Sequence, residues 1–448
     1  MKCVYFVHCV DTEGPLMEDF SVPFQLVKRI YNLDIEPTAE NLRKLRNREM
    51  DLGGLEDAVA NTVDPRKSTL GTWTEIDRMQ ETVTSEEYRN RLKDSFGGGW
   101  KFTWCCLNHV GFHGNNPRHR DAGYNNIYNH YRRLVDLQKC GDLIGFHYHP
   151  VSLSGNFNDS GTAYWGGENL NLILSHAIID QMWFPAVFRP GFNTERPDAN
   201  WFLEQWIPFD YANNAMNRKN SNQPDLTDGR FGDWRRSPAE WRPYHPSHDD
   251  YQSEGSCRRW IMRALNMYAR LCQIEDEDIR EGFEFARKNE KAIVAIADHD
   301  YKDMIFDIDR VREMIARISQ EYPDVSFRFC DGITAVREYL GMNPEGCDLS
   351  MEIDRSKTFP RLIVRAAKTI FGPQPFLAIK VAGNVYHWDN FDFYDKNCWT
   401  YTFDSNTISL DEVDKIGVAS NTPSGVTEVL LYDGKSGGIQ KKIWNDKE

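Results

Sequence analysis

Short apolar runs that end on a polar residue recur along the first three-quarters of the chain. Residues 4–10 (VYFVHCV) run into Asp11, residues 102–107 (FTWCCL) into Asn108 and His109, residues 143–146 into His147, and residues 186–188 into Arg189. Residues 292–297 (AIVAIA) run into Asp298, His299 and Asp300, and residues 325–329 precede Cys330 and Asp331. Runs this short between polar flanks fit buried strands. Helical periodicity fills stretches between them, at 37–46, 124–138, 276–288 and 308–321. Such alternation predicts parallel strands with helices outside, an α/β barrel. Function in that architecture sits where loops converge at the carboxyl ends of the strands. Closure would gather the Asp, His, Asn and Arg residues of separate strand ends at one mouth.

Two other regions break the pattern. Residues 34–100 leave the first strand as a long excursion, rich in Gly and Asp near DLGG and Gly97 to Gly99, and are expected to wall the mouth as an insertion. From residue 359 the helical pattern gives way to short alternating segments: FLAIKV, NVYHW, CWTYTF, TISL, KIGVAS, EVLLYD and KKIW. These predict a β-sandwich-like accessory domain over 358–448, following a barrel over 1–345. Tyr386, Trp388 and Trp399 would let that domain bind glycan; a packing or oligomerisation module is the preferred reading and leaves room for a homo-oligomer.

Composition narrows the partners. The 448-residue chain carries a formal charge of −14, which argues against nucleic acid and anionic membranes, since both need Lys and Arg. The apolar start is too short to span a bilayer and lacks a small-residue cleavage site, and no later run approaches the roughly 20 apolar residues of a membrane helix. A cytoplasmic protein without membrane insertion is expected. The ten cysteines are scattered, with Cys105 and Cys106 adjacent and no C-x-x-C pair, so they read as reduced, buried thiols. An aromatic content of 13% suits sugar binding or simply a large core.

Candidate chemistry lies in the strand ends. His147 and His149 in GFHYHPV are two apart on a strand, so both imidazoles face the same way and suit one divalent ion such as Zn²⁺. Asp11 and Glu13 share that spacing in VHCVDTEGP; one carboxylate would complete the metal site and the other act as general base. His299, flanked by Asp298 and Asp300, is expected to have a raised pKa and to serve as general acid. Arg189, before Pro190 and Gly191, would present its fork to a carboxylate. Asn108, His109, Asp298, Arg242 and His245 are candidate substrate-binding residues. With Asn213, Asn214, Tyr244 and the indoles of Trp73, Trp104 and Trp241 they would suit a sugar.

Taken in order, these motifs resemble those of the NodB-type polysaccharide deacetylases, carbohydrate esterase family 4. That family's first strand ends in T-F-D-D-G-P, and here it ends in V-D-T-E-G-P through Pro15. A metal-binding His pair, an R-P motif and a strand ending in a catalytic His follow, matched by His147 and His149, by Arg189 to Gly191, and by His299. The resemblance covers roughly residues 1–340. It implies a distorted (β/α)7-type barrel and one divalent metal, with zinc expected. It also implies hydrolysis of an acyl group, N-acetyl foremost, on a sugar, nucleotide sugar or glycan intermediate of surface-polysaccharide biosynthesis. By position, Arg189 would orient the base carboxylate and His299 would be the acid. The chain departs from the family in its two-residue His spacing and in Asp-Thr-Glu replacing adjacent acids. Asp11 is assigned here to the metal and Glu13 to the base. Alternatives are another metal hydrolase on a related barrel, of amidohydrolase or phosphoesterase type, and an inactive glycan-binding protein on a deacetylase fold.

Overall fold

The first strand, β1 (Cys3–Thr12), is buried at every position, so both of its faces and both of its edges must be covered. In the computed structural model, which describes residues 1–17, 19–65, 68–108, 123–149, 169–217, 232–269 and 271–444, seven parallel strands, this one included, close into a barrel. They are β1, β2 (Phe102–Asn108), β3 (Leu143–Tyr148), β4 (Val187–Pro190), β5 (Phe209–Asn213), β6 (Trp260–Asn266) and β7 (Lys291–His299), each paired with the next and β7 with β1. An eighth, β8 (Ser326–Cys330), distorts the closure. One edge of β1 pairs with β8 from Cys3 to Val7 and with β2 from His8 to Thr12, so β8 fills the amino-terminal half of the seam.

Alternation along each strand divides two cores. Inward positions Cys3, Tyr5, Val7 and Cys9 of β1, Cys105 of β2, Val187 of β4, Ala264 of β6 and Ala295 of β7 fill the barrel. Small side chains interleave with larger ones such as Tyr5 and Tyr211 and together fill the narrow barrel. Outward positions Val4, Phe6, Trp104, Phe146, Phe188 and Val294 face the helices. Strands β5 and β6 have no counterpart among the apolar runs singled out in the sequence. Asp210 interrupts the first and Arg263 the second, and both charges are buried in ion pairs.

The C-terminal region adds β9 (Leu349–Asp354), β10 (Arg361–Ala366), β11 (Phe376–Val381), β12 (Val385–Asp389), β13 (Asp392–Asp395), β14 (Cys398–Thr402), β15 (Val413–Asn421), β16 (Thr427–Asp433) and β17 (Ile439–Trp444). They form two antiparallel sheets, β13-β14-β10-β9 and β12-β11-β15-β16-β17. Leu362, Val364, Trp399, Ile416 and Val418 are among the residues of the core they share. The TISL segment read as a strand instead leads into a short turn of helix at Leu410–Glu412.

One helix joins the two regions. Asn169–Gln181 buries Leu170, Ile173, Leu174, Ala177, Ile178 and Ile179 in the outer barrel core, together with Phe376, Ala378 and Ala419 of the larger sheet. Burying each large apolar side chain is worth about 1.5–3 kcal/mol, so an apolar surface this broad needs a sheet against it. Gly417 permits the approach: a Cβ there would lie 2.4 Å from Ile178. The first excursion carries a small core of its own, from Leu42, Leu45, Val59 and Val63, joined by Phe24 and Val27 of the helix Val22–Tyr31 that precedes it. It then reaches the mouth through backbone bonds from Leu16 to Leu70 (2.8 Å) and from Leu70 to Tyr301 (2.6 Å). All ten cysteines are unpaired. Among the described residues, no helix is long and apolar enough to cross a membrane.

Candidate functional site

The inward row of β1 does not stop at Cys9; it continues through Asp11 to Glu13. Both carboxylates are buried, as are His147, His149 and Arg189 at the ends of β3 and β4. Strand pairing sets Arg189 beside His147 and His299 beside Asp11. Six side chains separated by up to 288 positions thus meet at the carboxyl end of the barrel.

Asp11 belongs to Arg189. The guanidinium donates from Nε to Oδ1 at 2.7 Å and from Nη2 to Oδ2 at 3.0 Å, a two-pronged pair that fixes the plane of the carboxylate. Burial alone would raise the Asp11 pKa; Arg189, followed by His147, outweighs it and holds the carboxyl well below the usual range. His299 Nε2 stands 3.8 Å from the second carboxylate oxygen.

Glu13 belongs to the histidine pair. His147 Nδ1 lies 2.9 Å from the Arg189 carbonyl oxygen, which can only accept, so the ring carries its proton on Nδ1 and turns the Nε2 lone pair inward. Burial pushes the His147 pKa down to about 3, against the pull of Asp11, so the ring is neutral as a metal ligand must be. Its Nε2 is 3.0 Å from His149 Nε2 and 3.9 Å from Glu13 Oε1, and the latter two are 3.6 Å apart. A point equidistant from three atoms so spaced lies about 2 Å from each, the length of Zn–N and Zn–O bonds. Two imidazoles and a carboxylate leave a coordination position open, the make-up of a catalytic rather than structural zinc site. Among the described residues this is the one cluster of His, Cys, Asp and Glu with such spacing. The geometry therefore reverses the division drawn from sequence: Glu13, not Asp11, stands with His147 and His149. Asp11 faces the Nδ1 side of His147, at 3.6 Å, where the proton already sits.

Support comes from residues to which the sequence reading gave other roles, such as Asp300 and Asn214, or none, such as Asn193. Asp300 accepts from the backbone N–H of Glu13 at 2.8 Å and of Gly14 at 2.9 Å, and from the Tyr131 hydroxyl at 2.7 Å, so it fixes the turn that carries Glu13. Asn193 accepts from Arg189 at 3.1 Å and donates to Asn214 at 3.0 Å. Phe192 and Asn193 both hold left-handed backbone, with φ of 54° and 49°, a cost that surrounding bonds must offset. Their turn needs Gly191, where a Cβ would lie 2.3 Å from the His149 ring. Tight backbone approach to a ligand ring is a signal that R-P-G carried and that only the folded contact explains.

Several expected site residues lie elsewhere. Asp298 occupies the outward row of β7, one register position from His299, and is buried against Asp307 of the helix Met304–Ser319. It cannot raise the pKa of His299, and Asp300 is occupied with the Glu13 turn. His299 is instead pushed well below its ordinary value by its packed surroundings, although 27% of its side chain reaches solvent; Asp11 opposes the shift only in part. The expectation of a protonated His299 at rest is thereby overturned. Arg242 pairs with Glu254, and His245 bonds the Arg259 carbonyl at 3.0 Å and lies over Trp260 at the amino-terminal end of β6. Both are at the opposite end of the barrel from the mouth. Asn108 is buried at the end of β2, in the row of Trp104 and Cys106 that faces the helices; His109 lies outside the described residues.

The aromatic candidates separate likewise. Trp104 and Trp241 are buried and bonded to Asp142 and to the Asp278 carbonyl, which leaves Trp73 half-buried against the outer barrel core and His130. Tyr386 stacks on His176 and bonds Asp180 at 2.6 Å, and Trp399 is core, so both are committed to packing. Asp331 caps the helix Gly332–Leu340 and has no part in the mouth.

No family profile matches the chain, and no curated protein matches it. Among solved structures, one from Mycobacterium smegmatis, named as a candidate polysaccharide deacetylase, aligns over 77% of this chain and 93% of its own. The two are 12% identical with a TM-score of 0.31. Similarity at that level assigns no activity.

Proposed function

We propose that the protein is a metal-dependent deacylase that removes an acyl group, N-acetyl foremost, from a sugar. Glu13, His147 and His149 would hold a divalent ion, zinc by the chemistry of the donors. The observation that carries this reading is the Glu13–His147–His149 triangle placed beside a separately clamped carboxylate, Asp11, with His299 across from it. The sugar rests on the ordered resemblance of the four strand-end motifs. A surface-polysaccharide intermediate is the setting that the same resemblance favours, and the unpaired cysteines favour its handling in the cytoplasm.

A bound divalent ion supplies Lewis acidity toward the acyl oxygen and acidifies a water molecule. The residues supply proton handling. Asp11 takes the proton that water gives up as its oxygen bonds to the acyl carbon. Arg189 keeps that carboxylate anionic and correctly turned, and makes it a weak base that readily passes the proton on. His299 is neutral at rest and faces Asp11 at 3.8 Å, so it receives this proton after a small closing movement and delivers it to the departing nitrogen as the C–N bond breaks. Atoms balance without an added acid: one water yields the carboxylic acid oxygen and the amine hydrogen. Neutral His299 is thus suited to a relay that a permanently charged imidazolium could not begin.

Two measurements test the proposal. Purified protein should bind about one divalent ion per chain by elemental analysis, and should release acetate from an N-acetylated amino-sugar donor. His147→Ala should lose both ion and activity, whereas Asp11→Asn should keep the ion and lose activity. Absence of any bound ion after incubation with Zn²⁺, or full activity in Asp11→Asn, overturns it.

A further inference from the structure

The first excursion and the barrel meet at a groove that the deacylase chemistry does not use. Trp73, at the start of the helix Trp73–Val83, packs its ring against His130 with centroids 4.4 Å apart. Asn126, Asn129, His130 and Arg133 follow at helical spacing along Asn126–Gln138, and Arg132 completes the lining of an open groove of about 750 Å³. A path of hydrogen bonds links the groove to the site. Four hydrogen bonds run from His130 to Gln80 (3.1 Å), Gln80 to Tyr131 (2.6 Å), Tyr131 to Asp300 (2.7 Å) and Asp300 to the Glu13 backbone (2.8 Å).

We propose that this groove docks a carboxylate-bearing sugar residue, so that the substrate of the neighbouring site is an acidic glycan. The half-buried indole of Trp73 offers apolar surface to a pyranose ring, and the Asn129 amide offers both donor and acceptor to hydroxyls. Arg133 supplies the fork for a carboxylate. Its Nε donates to the Asn129 carbonyl at 3.1 Å, which steadies the guanidinium and leaves the two Nη groups to the ligand. A phosphate is the poorer fit, because Asp136 pairs with Arg132 and Asp77 stands 3.4 Å from His130, which lowers the local potential. A single negative charge carried on a ring with hydroxyls matches Trp73, the Asn129 amide and Arg133.

The word substrate rests on the deacylase reading, but the groove does not. Calorimetric titration of the full chain with D-glucuronate, D-glucose, sodium sulfate and AMP tests it. D-glucuronate should bind at least fivefold more tightly than the other three, and Arg133→Gln and Trp73→Ala should each weaken it at least fivefold with zinc content unchanged. Equal binding of D-glucose, sulfate or AMP overturns the assignment, as does absence of D-glucuronate binding. Weakening by Asp11→Asn in place of the groove variants would put the acid in the mouth and overturn it too. D-glucuronate bound at the groove of a protein that holds no divalent ion and releases no acetate would uphold the groove and sink the deacylase reading alone.

Discussion

Two arginines are wholly buried in ion pairs on opposite faces of the barrel wall, and they do different things. Arg259, near the amino ends of β5 and β6, meets Glu195 at 3.2 and 2.5 Å and also bonds Asp210 and Asn200. Burial, followed by Glu195, pushes the Asp210 pKa up while Arg259 pulls it down, so this cluster is closed on itself, cation against acids. Arg189, at the mouth, holds one carboxylate and leaves the neighbouring acid, Glu13, to two imidazoles. Buried charge by itself therefore marks nothing. A site is marked by several lone pairs directed at one point that no protein cation occupies.

Replacing the central carboxylate should break the contrast most sharply. Asp11→Asn is expected to lower kcat/KM about 10³-fold, within the range for loss of a general base, with zinc retained. Near-normal turnover would place the base elsewhere. Next come the two arginines: Arg189→Met and Arg259→Met should each cost about 3–5 kcal/mol in urea unfolding, because each strands buried acid. Only Arg189→Met should also abolish acetate release from the folded fraction; equal loss in both would erase the distinction. Asp300→Asn, which weakens the hold on the Glu13 backbone, should raise the Kd for zinc about 10- to 100-fold, as loss of an outer support does. An unchanged Kd would mean that the turn holds itself.

A smaller effect concerns Asp307. Burial, then the adjacent Asp298, push its pKa up to about 9. Such an acid is protonated when folded and ionised when unfolded. Its contribution to stability is complete below about pH 4 and is lost as pH rises toward its folded value. Asp307→Asn keeps a neutral side chain, so its stability relative to the natural chain should climb between pH 5 and 8.5. A constant difference across that range breaks the account. Asp298→Asn, finally, should leave acetate release within about twofold, as the outward face of β7 implies; a large loss would return Asp298 to the site.

Much of this could be read from residue order, and the misses have specific causes. Apolar runs at β1, β2, β3, β4 and β7 announced buried strands, while Asp210 and Arg263 hid β5 and β6 because their partners lie far along the chain. Arg242 and His245 looked like rim residues because the strand they accompany was not recognised, so which end of the barrel they joined was open. Asp298 and His299 could have been separated by counting: Ile293, Ala295 and Ala297 are inward, and His299 follows in step.

Sequence by itself determined which residues could reach the mouth, because the two-residue period of a strand fixes the face of every side chain once the strand is found. His147, His149, Asp11 and Glu13, Arg189 and His299 follow from that rule. Only tertiary structure decided which carboxylate serves which partner. Asp11 and Glu13 share a face and differ by one strand repeat along β1, and nothing local distinguishes them. Barrel closure carries Arg189 across to Asp11 and leaves Glu13 level with the two Nε2 atoms, so the choice is made by long-range register and not by either residue's own chemistry.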